Sequence, residues 1–281
     1  MILTDERWRE LLHTRATNPG AVRQAYATRR RRSNLLSDNG TLFLIAADHP
    51  ARGALEVGDD PLAMADRRTL LERLLVALAN PAVDGLLGTP DVVEELLLLG
   101  ALHDKVVFGS MNRDDRFTAY DAPTLIDCGL DGGEMLLRLV DSDPGTASTL
   151  QSCADAVTEL AAYGLFAMIE PFPCARSEGR LVPQEDPASL ARAVTVASGL
   201  GTTSAYTWLK LPSPGSAAVL GATTLPVVLG GPLSGNPVAD LGSWMLWHGV
   251  VHGLVVGHTQ LGRNVRADVE AAAKALEEAA K

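Results

Sequence analysis

At 281 residues, 47% hydrophobic and 21% charged, the chain is long enough to bury a substantial core and has the composition of a globular α/β protein. A formal net charge of -10 argues against broad binding to nucleic acid or to anionic membranes. Three cysteines, Cys128, Cys153 and Cys174, lack the paired spacing of a disulfide framework or a zinc site, so free thiols in a reducing cytoplasm are expected.

The N-terminus is charged from Asp5 onward and no apolar stretch reaches membrane-spanning length, so neither a signal peptide nor a transmembrane helix is expected. No change of composition divides the chain, and residues 1–281 read as one domain. Residues 1 to about 35 read as an amphipathic helical extension suited to closing the bottom of the fold. The run Arg29-Arg30-Arg31-Arg32 reads as a solvated helix end or an oligomer contact, because no aromatic residues interleave with it as they do in single-strand nucleic-acid binders.

Eight short apolar runs then alternate with helical patterns: Leu42 to Ala47, Val83 to Leu87, Val106 to Gly109, Met135 to Val140, Leu165 to Ile169, Ala205 to Leu211, Pro226 to Leu229 and Gly253 to Val256. Strands alternating with helices predict a parallel sheet, and eight of them in this length predict a (β/α)8 TIM barrel. Helix starts are marked by Asp60-Pro61 before Leu62 to Leu78, Pro90-Asp91 before Val92 to Leu99, Pro144 before Thr146 to Ala162, and Asp186-Pro187 before Ala188 to Ser198. His248 and His252, four apart on an expected outer helix, have no acidic third ligand at a suggestive distance and read as structural, so no metal and no cofactor is predicted.

Only four lysines occur, and Lys210 alone lies inside a strand-forming run, Tyr206-Thr207-Trp208-Leu209-Lys210-Leu211-Pro212. Desolvation of an ammonium ion is costly and is relieved by a lowered pKa, which gives a neutral amine able to attack a carbonyl carbon. In a parallel barrel the reactive groups sit where strands end. Asp48 and Arg52 follow strand one, Asn112 and Arg113 follow strand three, Glu170 ends strand five, and Gly230-Gly231 ends strand seven. Lys210 with Glu170 and Asp48 is sufficient for imine chemistry, the carboxylates moving the protons of carbinolamine dehydration and C–C cleavage. Arg52 and Arg138 are candidate partners for a carboxylate or phosphate of the substrate, or members of structural ion pairs. His49 and His258 are candidates to titrate near neutrality and assist proton transfer.

The strand ends Ala46 to Gly53, Gly109 to Arg113, Asp131-Gly132-Gly133, Met168 to Phe172, Ser204 to Pro212 and Leu254 to Gly257 together resemble actinobacterial class I aldolase-like barrels of the deoxyribose-phosphate and tagatose-bisphosphate aldolase superfamily. The resemblance runs from about residue 41 and implies Lys210 as the Schiff-base lysine with Asp48 and Glu170 as acid/base carboxylates. Some members resembling this chain are associated with inositol breakdown, where a phosphorylated keto-deoxy sugar acid is split. Two positions depart from the pattern: Glu134 stands where a second lysine is expected, and Gly257-His258-Thr259 stands where glycine-arginine holds phosphate. Backbone N–H groups of Gly230, Gly231 and the loop at Gly257 are suited to a phosphate, with a non-phosphorylated or differently charged substrate as the rival.

The sequence thus predicts a cytoplasmic, homo-oligomeric, metal-independent class I aldolase acting on a small keto sugar or keto acid, with no nucleic-acid or membrane partner. The rivals are an imine-forming dehydratase, transaldolase or condensing enzyme, and a non-catalytic metabolite-binding barrel.

Overall fold

The computed structural model describes residues 2–57, 59–113, 116–140, 143–178, 180–230, 241, 244, 249–257 and 264–280. In chain order, helices α1 (Asp5–Thr17) and α2 (Gly20–Thr28) precede strand β1 (Leu42–Ala47), a 3-10 turn (His49–Arg52), α3 (Arg67–Leu78), β2 (Gly85–Gly88), α4 (Pro90–Leu98) and β3 (Val106–Ser110). A small hairpin, β4 (Asn112–Arg113) and β5 (Arg116–Phe117), leads to α5 (Ala122–Asp127), β6 (Gly132–Val140), α6 (Pro144–Ala162), β7 (Phe166–Ser177), β8 (Arg180–Pro183) and α7 (Pro187–Ser198). The chain continues through β9 (Thr207–Leu211), α8 (Ala217–Leu220), β10 (Val227–Gly230), β11 (Val251–Gly257) and α9 (Val265–Ala279).

Strands pair in the order β6-β3-β2-β1-β11-β10-β9-β7, all parallel, and the β6–β7 ladder from Gly132–Phe166 to Val140–Cys174 closes the ring. The fold is therefore an α/β TIM barrel. β8 lies outside it, antiparallel to the far end of β7.

Alternation along each strand sorts side chains to two cores. Leu42, Leu44, Ala46, Leu87, Val106, Phe108, Met168, Trp208, Val228 and Val255 fill the barrel interior. Phe43, Ile45 and Ala47, the alternate residues of β1, join the larger core between strands and helices. Interior space is tight at the bottom. A Cβ on Gly85 would stand 2.0 Å from the Val106 carbonyl oxygen, and one on Gly253 the same distance from that of Leu42, so bare backbone is required there.

Helix starts are fixed by side chains accepting orphan backbone N–H groups: Asp66, Asp121, Asp143, Asp186 and Asn264 each cap the next helix in the chain. Asp66 corrects the expected start of α3. Asp60 caps only the Leu62 N–H of a turn, and the helix begins at Arg67.

The N-terminal segment divides its labour differently from expectation. α1 and α2 lie along the barrel's flank near α4, with Tyr26 Oη 2.7 Å from Tyr120 Oη and Arg7 donating to the Leu99 carbonyl at 2.7 Å. The stretch after α2 covers the bottom instead, where Leu35 and Leu36 pack against the interior core. The arginine run is not solvated throughout. Arg29 is buried and donates to the carbonyls of Lys105 at 2.8 Å and Gly129 at 2.6 Å, and it pairs with Asp131 at 3.3 Å. Arg30 pairs with Asp104, Arg31 with Asp131 and Arg32 with Asp84, joining the segment to residues that lead into strands. His252 lies in β11 rather than on a helix, its ring edge-on to Trp208 at 5.9 Å, and His248 falls outside the described residues.

Candidate active site

Lys210 shares the inward face of β9 with Trp208, one step nearer the C-terminal mouth, and is 3% exposed. Its Nζ stands 2.9 Å from Glu134 Oε1 and 2.8 Å from Glu170 Oε2. Glu170 follows Met168 on the inward face of β7. Glu134 stands two residues after Gly132 on β6, whose missing Cβ would touch the interior ring of Phe108. Asp48, just past β1, is 1% exposed and pairs with Arg52 NH2 at 2.7 Å, while the same guanidinium nitrogen lies 3.9 Å from Glu134 Oε2. His49 Nδ1 lies 3.4 Å from Asp48 Oδ1. Strands one, four, five and six of the barrel thus deliver three carboxylates and two cations to one buried cluster.

The electrostatics differ from the sequence expectation at the lysine. Burial does push the Lys210 ammonium toward neutrality, but the negative charges of Glu134, Glu170 and Asp48 outweigh it and hold the amine protonated, above its ordinary range. Burial likewise raises the Glu134 carboxyl, with Lys210 opposing and Asp48 reinforcing the rise. For Asp48 burial is overcome by the charges of Arg52, Lys210 and His49, and its carboxyl is held below the usual aspartate value. Burial depresses the His49 imidazole, against the pull of Asp48, so this ring tends to be neutral. In a cluster with one more carboxylate than cation, Glu134, with no exposed surface, is made a stronger proton acceptor by desolvation.

The other expected site residues separate by position. Asn112 is committed to the scaffold: its amide donates to the Leu136 carbonyl and accepts from the Leu136 N–H, both at 2.8 Å, tying the chain after β3 to β6. Arg138, half-buried, shares the inward face of β6 with Glu134 and sits in register with Phe172 at the mouth. Gly230 ends β10 beside the lysine, where an added Cβ would stand 3.2 Å from Lys210 Cγ. Gly257 ends β11 in register with Ala46. Arg113 lies in β4, but its side chain, Gly231 and His258 are outside the described residues. Glu134 was legible as a departure from a family pattern and not as a contact of Lys210. The missed signal is parity, since a strand beginning at Gly132 puts positions 132, 134 and 136 on one face.

Among the described residues no cluster of metal-ligating side chains occurs, and no helix is long and apolar enough to cross a membrane. None of the three cysteines is in a disulfide, and Cys174 lies within β7.

An inward lysine on the sixth barrel strand, embraced by carboxylates from the fourth and fifth, stands on a fold shared with class I aldolases. One relative in fold is a Schiff-base-forming fructose-1,6-bisphosphate aldolase (TM-score 0.62, 15% identity, covering 91% of this chain and 99% of that one). Another is an archaeal fructose-1,6-bisphosphate aldolase whose catalytic lysine carries the carbinolamine intermediate (TM-score 0.62, 16% identity, 92% and 100% covered). At these identities the likeness is one of fold. Residues 40–277 match the family model described as Cgl0159-like, and the crystal structure of Cgl0159 from Corynebacterium glutamicum is 41% identical, with TM-score 0.91 over 99% of this chain and 98% of that one. The chain belongs to the Cgl0159-like family. A comparison with curated proteins returns no match.

Proposed function

We propose that the protein is a class I aldolase of the deoxyribose-phosphate/tagatose-bisphosphate type, which makes or breaks a C–C bond in a small keto compound through an imine on Lys210. The observation that carries this reading is the placement of Lys210 Nζ between Glu134 and Glu170 in a buried barrel mouth. The resting ammonium is not a nucleophile, so a proton must leave before reaction. Glu134 is the acceptor, because it is within hydrogen-bond reach and its carboxyl is already raised by burial.

The free amine then adds to the carbonyl carbon, and proton transfer from nitrogen to oxygen gives the carbinolamine. Glu170 relays the proton held by Glu134, which faces the same nitrogen, to the carbinolamine hydroxyl; this leaves as water, and the nitrogen lone pair forms the iminium ion. The proton taken from the ammonium is thereby returned with the water. Asp48, kept ionised by Arg52, removes the proton of the hydroxyl β to the iminium. The C–C bond breaks, its electron pair moves into the iminium to give an enamine, and an aldehyde departs. Protonation of the enamine carbon and hydrolysis release the ketone and restore Lys210.

The test is cleavage of β-hydroxyketones by the wild-type protein and by Lys210→Met. The variant is expected to lose about 10⁴-fold or more in turnover while remaining folded by circular dichroism. Turnover of the wild type is expected to persist in excess chelator, since the amine supplies the electron sink. A Lys210→Met protein within tenfold of wild type would overturn the reading.

A further inference from the structure

Next to the lysine cluster, a hollow of about 210 Å³ opens over the ends of β1, β2 and β3, its wall including Asp48, Arg52, Thr89, Asp91, Ser110 and Thr118. Asp48 belongs to both the hollow and the acid/base set. The wall mixes apolar surface from Ala51, Pro90 and Ala119 with polar groups and carries no surplus of positive charge. Arg52 is matched by Asp48 at 2.7 Å, and Asp91 is held from outside the hollow by Arg67 while accepting the Thr89 hydroxyl at 2.6 Å. A phosphate placed here would meet two carboxylates and one guanidinium. The N-terminus of α4 could otherwise favour an anion, but Asp91 already occupies its first turn.

Hydroxyl groups meet a better match. Both oxygens of Asp48 are buried and, although ion-paired, accept no aligned hydrogen bond among the described residues, so they retain acceptor capacity toward O–H donors. Ser110 and Thr118 add hydroxyls that can donate or accept, and Thr89, whose proton goes to Asp91, adds an acceptor. The volume equals that of about seven waters, which leaves room for a hydroxylated fragment of a few carbons.

We propose that this hollow is the subsite for the uncharged, hydroxylated half of the substrate, the hydroxyaldehyde that leaves when the C–C bond breaks. The assignment rests on the imine reading above. In the direction of synthesis the enamine carbon bonds to the aldehyde carbon in the hollow, and the aldehyde oxygen takes a proton from Asp48 as it becomes the β-hydroxyl.

The experiment measures aldol addition of dihydroxyacetone to D-glyceraldehyde and to D-glyceraldehyde 3-phosphate, each rate divided by that of adduct formation with dihydroxyacetone alone. The unphosphorylated acceptor is expected to be favoured at least tenfold in kcat/KM. Ala51→Leu, which fills the hollow, is expected to cut that value at least tenfold; Thr118→Phe, at an exposed rim position, is a second block should the first fold poorly. A preference for the phosphorylated acceptor, or values unmoved by both variants, would overturn the subsite. Binding of erythritol, followed by saturation-transfer NMR, reads the hollow without imine chemistry. Signal abolished by Ala51→Leu supports the assignment, and displacement of erythritol by glycerol 3-phosphate contradicts it. Failure of every ketone to form an adduct while erythritol still binds would count against the aldolase reading instead.

Discussion

Replacing Glu134 by glutamine preserves the shape of a side chain with no exposed surface and removes the carboxylate 2.9 Å from Lys210 Nζ, so the variant reads proton transfer and not packing. Loss of a general base of this kind costs about 10²- to 10³-fold, here expected in kcat/KM with imine formation becoming limiting. The pH dependence has a definite sign. The folded Glu134 carboxyl is raised above its ordinary 4.5, so its protonated form favours folding below that value and the advantage is lost as pH rises through the folded pKa. Ionisation over the same rise creates the proton acceptor. Wild-type kcat/KM should therefore climb on a limb whose midpoint lies above 4.5, and Glu134→Gln should lack that limb while losing no more than about 1 kcal/mol of stability, since Glu170 still faces Lys210. Rate profiles and urea titrations of the two proteins check both parts.

Strands place these residues, and their packing makes single glycines decisive. Gly230 reads in the sequence as a phosphate-cradling turn, yet in the barrel its Cα faces the lysine stem and Val255. Gly230→Ala puts a methyl group 3.2 Å from Lys210 Cγ and 3.1 Å from Val255 Cβ, and the flexible lysine yields more readily than the strand. Turnover should fall about tenfold, in keeping with a displacement of the nucleophile by a fraction of an ångström, while denaturation shows a loss of about 1–2 kcal/mol. The eight strands were legible because β-branched and apolar runs alternate with proline- and aspartate-marked helix starts, which report the same physics from both sides. Strand ends were less so. Gly132-Gly133 has the composition of a turn, and only pairing with Phe108 and Gly109 on one side and with Phe166 and Ala167 on the other makes it the start of β6 and turns Glu134 inward. β7 runs on to Ser177 through Pro171 and Pro173 because β6 on one side and β8 on the other supply partners, and those contacts lie far apart in the chain. The lysine's ionisation state failed for the same reason: burial is visible in one strand, but the carboxylates that reverse its effect come from others.

Over the whole molecule the N-terminal segment is a clamp across the start of the barrel, and a buried arginine anchors it beside apolar contacts from Leu3, Leu11, Leu35 and Leu36. Arg29→Met keeps much of the stem's packing but leaves the Lys105 and Gly129 carbonyls without that donor, and Asp131 with Arg31 as its remaining arginine partner. A destabilisation of about 3 kcal/mol is expected by chemical denaturation, with kcat per folded molecule unchanged because the cluster around Lys210 lies at the opposite end of the strands. That separation, stability at the bottom and chemistry at the mouth, follows from closing a parallel sheet on itself. The central claim is chemical, and mass spectrometry reaches it directly: the protein is incubated with dihydroxyacetone, dihydroxyacetone phosphate or pyruvate, reduced with borohydride, digested and mapped. A ketone-dependent mass increase confined to the peptide bearing Lys210 is the result expected; C–C cleavage that proceeds with no adduct, or with the adduct on Lys105 or Lys274, would contradict it.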